Sequence, residues 1–215
     1  MISVLAIGSL VASMLAGPIV IPTDPPVEPP DQKIEIDVIT INGSGCPAGT
    51  AAVAVAPDNT AFTVTYSDYL AQVGVGARPT DARKNCQLAL QVHVPEGFTY
   101  AILQADYRGY GYLAPGASAV ARANYYFQGS SPTTYKNHSF SGPLDDSWQT
   151  TDTSELTSVS YAPCGEMRFL NINTELRVNV GTSNPATTTS FMTMDSTDGG
   201  ISTIYHFAWQ ECDED

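Results

Sequence analysis

The sequence predicts an all-β fold, a single-domain antiparallel β-sandwich of Greek-key or jelly-roll type stapled by two disulfides. Three observations predict it. Apolar and polar residues alternate with a period of two along most of the chain. No long segment carries convincing helical spacing. Four cysteines follow an apolar, uncharged start, the composition of an exported chain.

Residues 1–16 are an apolar run ended by Gly17-Pro18. That is too short for a membrane span of about 20 apolar residues, and it fits the core of a signal peptide. An uncleaved anchor is the competing reading, since Ile19-Val20-Ile21 prolong the apolar character, but the Gly-Pro break ends a helix too early. Residues 17–32 include Pro22, Pro25, Pro26, Pro29 and Pro30 and read as a stiff, extended spacer. The secreted domain then occupies 33–212, and 213–215 form an acidic tail.

Within the domain the strands follow in order. Ile34, Ile36, Val38 and then, in shifted phase, Ile39 and Ile41 lead to the turn Asn42-Gly43-Ser44-Gly45. Val53 and Val55, then Phe62, Val64 and Tyr66, flank the turn Ala56-Pro57-Asp58-Asn59. Leu88, Leu90, Val92 and Val94 alternate with polar neighbours, and Phe98, Tyr100 and Ile102 follow Pro95-Glu96-Gly97, which predicts a hairpin. Further strands are expected over 121–128, 134–141, 156–161, 168–180, 190–194 and 201–210. Many short strands with regular turns predict a sandwich rather than a helix-covered parallel sheet.

Cys46, Cys86, Cys164 and Cys212 allow three pairings. Cys46–Cys86 and Cys164–Cys212 are favoured, each local to one half of the chain and each worth about 4 kcal/mol of chain entropy. No close C-x₂₋₄-C spacing supports zinc. Asn42 and Asn137 head N-glycosylation triplets.

Composition excludes some classes of function. The net charge of −13 argues against nucleic acid and anionic membranes as partners. Charged residues are only 14% of the chain, so its polar surface falls to Ser, Thr, Asn and Gly. There is no G-x-S-x-G elbow, the cysteines are committed to disulfides, and no cofactor is expected. A hydrolase with paired carboxylates stays open, because sequence cannot pair Glu96, Asp106, Glu155, Glu166, Glu175 or Glu211.

Several segments resemble a known family. These are Ile41-Asn42-Gly43-Ser44-Gly45-Cys46-Pro47-Ala48-Gly49-Thr50, Arg83-Lys84-Asn85-Cys86-Gln87-Leu88, Ala123-Asn124-Tyr125-Tyr126-Phe127-Gln128-Gly129, Asn171-Ile172-Asn173-Thr174-Glu175-Leu176-Arg177-Val178 and Tyr205-His206-Phe207-Ala208-Trp209. With them the chain, from about Ile34 to Cys212, resembles the small secreted fungal and actinobacterial proteins grouped as domain of unknown function 4360. The resemblance implies secretion and the four-cysteine framework, and it assigns no catalytic residue.

Two surfaces are candidates for ligand contact. In the strand around Asn171, the residues Asn171, Asn173, Glu175, Arg177 and Asn179 alternate with Ile172, Thr174, Leu176, Val178 and Val180, so a row of amides, a carboxylate and a guanidinium should face outward. Tyr107, Tyr110 and Tyr112 lie among glycines, where exposed rings stack on sugars and glycines let a ligand approach. Asp195 and Asp198, and Asp145-Asp146, are weak cation candidates better read as turns. His93, His138 and His206 are scattered, without metal-site spacing.

The expectation is therefore a monomeric protein, extracellular or associated with the cell wall and free of the membrane once its signal is cleaved. It binds cell-wall or extracellular carbohydrate without catalysis. The competing readings are the carboxylate hydrolase and a secreted effector or inhibitor that binds an extracellular protein.

Overall fold

In the computed structural model, residues 27–131, 135–154, 159–194 and 203–213 are described. The expected signal peptide, the first part of the spacer, Glu155, the expected strand residues 156–158, Asp195, Asp198 and the last two residues of the acidic tail lie outside them. Twelve strands make up the described chain: β1 (Glu35–Asn42), β2 (Ala51–Val55), β3 (Ala61–Tyr66), β4 (Leu70–Gly74), β5 (Arg83–His93), β6 (Phe98–Leu113), β7 (Ser118–Phe127), β8 (Lys136–Ser141), β9 (Leu144–Thr153), β10 (Phe169–Asn179), β11 (Thr189–Thr193) and β12 (Thr203–Glu211). A short 3-10 turn, Pro79–Ala82, precedes β5.

The strands form two antiparallel sheets. One has five strands in the order β1-β5-β10-β7-β8, and the other has seven, in the order β2-β3-β12-β6-β11-β4 with β9 paired to β6. The alternating apolar rows decide which side of each sheet is buried. In β5, Cys86, Leu88, Leu90 and Val92 turn inward, and in β3 Phe62, Val64 and Tyr66 do the same. The two inward faces meet in one core. Tyr100 of β6 packs edge-on against Phe127 of β7 at 5.3 Å, and the Tyr69 hydroxyl bonds Thr174 of β10 at 3.1 Å. Phe62 stacks on Tyr205 at 5.0 Å.

Both favoured disulfides are present. Cys46 and Cys86 have Cα atoms 5.3 Å apart, and Cys164 and Cys212 5.9 Å apart, within the range a bridge requires. The first ties the β1–β2 connection to β5. The second ties the segment before β10 to the end of β12.

The expected hairpin across Pro95-Glu96-Gly97 is corrected. β5 pairs with β1 and β10, whereas β6 pairs with β12, β9 and β11. The turn instead carries the chain from one sheet to the other, so the apolar rows of β5 and β6 face each other across the core. Two strands were not expected, β4 and β9. The phase shift between Val38 and Ile39 is a β-bulge, where the register of β1 against β5 slips between Val38 and Thr40.

The end of the proline-rich segment is docked on the domain. Asn59, in the β2–β3 turn with φ 56°, accepts a bond from Ile34 N at 3.1 Å and donates to the carbonyls of Pro30 at 2.8 Å and Gln32 at 2.9 Å. Val27 forms a bridge with Trp209 of β12.

Candidate functional site

The outward face of the five-stranded sheet gathers polar side chains from neighbouring strands. Pairing places Gln87 of β5, Asn173 of β10 and Asn124 of β7 in one row. One step along, Asn85, Glu175, Arg122 and Asn137 form the next row, and Arg83 and Arg177 the one after. Paired residues share a face, so register alone brings together side chains far apart in sequence. Asn173 donates to Asn124 Oδ1 at 3.2 Å.

Glu175 is the centre of this face. Its side chain is only 5% exposed, beneath Arg83, Arg122 and Arg177, whose side chains are 56%, 30% and 46% exposed. Arg83 bonds Oε2 through Nε. Arg122 donates from Nη2 to Oε2 at 3.2 Å, and Arg177 from Nη2 to Oε1 at 3.1 Å. The Arg122 guanidinium also lies over the Tyr135 ring, 4.6 Å from its centroid. Three of the chain's nine basic residues thus surround one carboxylate, and the cluster is a positive island on an acidic protein. The acidic residues of the same face, Glu35 and Asp37, pair with the far end of β5 at His93 and Gln91. Their partners lie about 33 and about 26 Å along β5 from Arg83.

The tyrosine segment belongs to the other sheet, so the two candidate surfaces look out from opposite sides of the sandwich. Tyr107 corrects the expectation. It is 2% exposed and packs edge-on against Tyr205 in the core, out of reach of a surface ligand. Tyr110 and Tyr112 do face outward, and both stack on Phe191 of β11, at 6.2 and 5.7 Å. The Tyr110 hydroxyl bonds Asp145. A shallow cleft of about 570 Å³ borders Tyr112, lined also by Asp145, Thr187 and Thr189. The glycines serve packing rather than ligand approach. A Cβ on Gly109 would lie 2.7 Å from the Trp148 indole, and one on Gly111 2.8 Å from Leu144. Gly111 makes room for β9 and Gly109 for both β9 and the Thr193 carbonyl of β11, and Asp145 and Asp146 are strand residues of β9.

Each histidine sits 2.9 Å from an aspartate: His93 from Asp37, His138 from Asp152, and His206 from Asp106. Burial pushes the Asp106 carboxyl up, but bonds from Thr151, Gln104 and His206 outweigh it and hold the group below its ordinary value. Among the described residues, no three His, Cys, Asp or Glu side chains converge as metal ligands. A second cleft, of about 450 Å³, lies at the β5–β6 crossover beside Cys164 and holds Glu96 and Glu166. Arg168 donates to Glu166 from Nε at 2.9 Å. Asn42 and Asn137 are both exposed, and Asn137 pairs with Arg122.

Strand periodicity indicated the outward row of β10. It gave no sign of Arg83, Arg122, Asn124 or Gln87, which reach that row only through pairing in the sheet. The signal for them was the same alternation in β5 and β7, unusable without the register.

The family model for the domain of unknown function DUF4360 matches residues 32–212. The chain belongs to that family. A relative from Arthroderma benhamiae, described as an uncharacterized secreted protein, is 35% identical over 184 residues, covering 86% of this chain and 74% of its own length. Two disulfides in a sandwich of this size fit the same compartment for this DUF4360 member. Among solved structures, the enzymatically active domain of bacteriophage CBA120 tailspike protein 4 aligns with 80% of this chain and 19% of that one, at 12% identity and a TM-score of 0.26. A likeness that weak bears on neither fold nor function.

Proposed function

We propose that this DUF4360 protein is a non-catalytic binding module for cell-wall or extracellular carbohydrate, and that the outward face of its five-stranded sheet is the contact surface. The observation that carries this reading is the outward amides of Gln87 and Asn173, the latter backed by the buried Asn124, beside Asn171 and the arginines around Glu175. Side-chain amides offer a donor and an acceptor together, the pattern that vicinal hydroxyls complement, and guanidiniums add planar paired donors. The strands hold these groups in fixed register, which limits the ordering entropy of binding.

The test is a pull-down of the oxidised protein on insoluble cellulose, chitin and β-glucan, with released sugar measured in the same tubes. Retention without release that is lost in Asn173→Ala supports the reading. Release that is lost in Glu96→Gln or Glu166→Gln moves the activity to the crossover cleft and makes the protein a hydrolase. Neither retention nor release on these and acidic polymers removes carbohydrate as the ligand class.

A further inference from the structure

We infer that the arginine cluster around Glu175 selects acidic sugars, so that the ligand of the proposed face is a polysaccharide bearing carboxylates, such as a polyuronate. This rests on the carbohydrate reading and narrows it. One carboxylate cannot use all the donors of three guanidiniums, and side-chain exposures of 56% and 46% leave unused donors of Arg83 and Arg177 toward solvent, while Arg122, 30% exposed, keeps its Nε buried against Glu175. Glu175 also fixes the three side chains in place from beneath, so their planar forks are ordered before a ligand arrives. Its single negative charge leaves the cluster with two net positive charges, while the chain as a whole carries −13. A long anionic partner is repelled by most of such a protein and attracted at one place, which sets where and how it lies.

The neighbouring groups set the class of anion. Asn173 and Gln87 lie one step along the strands from Glu175, and Asn171 two steps. A carboxylate held in a guanidinium fork therefore leaves the rest of a sugar ring over amides that match its hydroxyls. A bare phosphate or sulfate has no hydroxyls for those amides to meet. Nucleic acid presents phosphates in place of carboxylates and at most one free hydroxyl on each internal sugar for those amides to meet. Asn137 faces the same side as Arg122, and a glycan there would crowd the cluster. The test protein is therefore made in an oxidising compartment that does not attach N-glycans.

The experiment measures Kd for soluble polygalacturonate, for its fully methyl-esterified form and for polyglutamate. Polygalacturonate is expected to bind, more weakly as salt rises, and the ester is expected to lose about tenfold or more, the worth of charge-assisted hydrogen bonds. Arg83→Gln/Arg177→Gln should lose polygalacturonate binding by a similar factor, with Arg122 left in place to hold Glu175. Arg177→Lys should lie between, because it keeps the charge and loses the fork. A native circular dichroism spectrum and a single cooperative thermal transition show that the variants remain folded, even where the midpoint falls because Glu175 has lost partners. Equal binding of acid and ester overturns the acidic specificity and leaves the carbohydrate reading standing. Equal binding of polyglutamate overturns the sugar reading and this inference together. Binding unaffected by the double substitution overturns the assignment to the cluster.

Discussion

The indole Nε1 of Trp209 donates to the backbone carbonyl of Asn59 at 2.9 Å, joining the last strand to the β2–β3 turn across 150 positions. The same asparagine holds residues 30–34 through its amide, so one buried residue secures both the segment that enters the domain and the strand that completes it. Its left-handed backbone is a conformation that asparagine tolerates and most residues do not.

Asn59→Ala should therefore cost about 3 kcal/mol, from three lost hydrogen bonds and the strained backbone. Asn59→Gly should cost about 1 kcal/mol less, since it removes the side chain but accepts the conformation. Urea midpoints of the two variants check this. Equal losses would mean that the backbone contributes nothing.

Gly109→Ala should destabilise by about 1–3 kcal/mol, because the added methyl meets the Thr193 carbonyl and the Trp148 ring in a filled interior. A shift in Trp148 fluorescence should accompany the loss. Unchanged stability and emission would show that β9 and β11 yield without cost.

Glu175→Ala leaves three neighbouring arginines without their shared partner. The expected loss is about 2 kcal/mol, below the range for fully buried pairs because the arginines are partly hydrated. Added salt should restore part of it by screening the repulsion, and a loss independent of salt would point to packing alone.

Burial holds the hydroxyls of Tyr69, Tyr107 and Tyr205 well above their ordinary value of 10.0. The unfolded chain releases those protons above that pH while the native chain keeps them. Their contribution is fully present below pH 10 and is lost as pH rises beyond it. Absorbance at 295 nm should thus show a step that coincides with unfolding by circular dichroism. Smooth ionisation of all eleven tyrosines in a folded protein would contradict the packing.

At the acid end, bonds from the Arg78 side chain and backbone and from Lys84 hold the Asp81 carboxyl well below 3.8. This contribution is present above the ordinary carboxyl value and disappears as pH falls through the lowered one. Asp81→Asn should lower the urea midpoint at neutral pH, with the difference closing in strong acid. A difference independent of pH would assign the effect to the turn geometry instead.

Sequence carried the fold as far as local alternation reaches. The two phases around Val38 and Ile39 already contained the β1 bulge, and Leu88 to Val94 marked an inward row. That row does not say which sheet owns it, so the same residues around Pro95-Glu96-Gly97 fit a hairpin as well as a crossover between sheets. β9 was illegible for a different reason. Its inward side carries Asp146, Thr150 and Asp152 beside Leu144 and Trp148, because it lies at the margin over β8, where Asp152 meets His138 and Trp148 meets Phe140. At the candidate site the outward row of β10 was legible, but the burial of Glu175 was not, since it depends on Arg83 and Arg122, 92 and 53 positions away. Tyr107 failed as a surface residue because a tyrosine suits a half-polar interior as well as a ligand platform.

The position of β12 has a consequence for biosynthesis. It lies between β3 and β6, so the seven-stranded sheet stays split in two until residues 203–211 have been made. A ribosome delivering this chain in order therefore releases an open, unfinished polypeptide almost to the last strand, with long-range pairings still to form. Cys164 waits for the same strand, because its partner Cys212 follows directly after it.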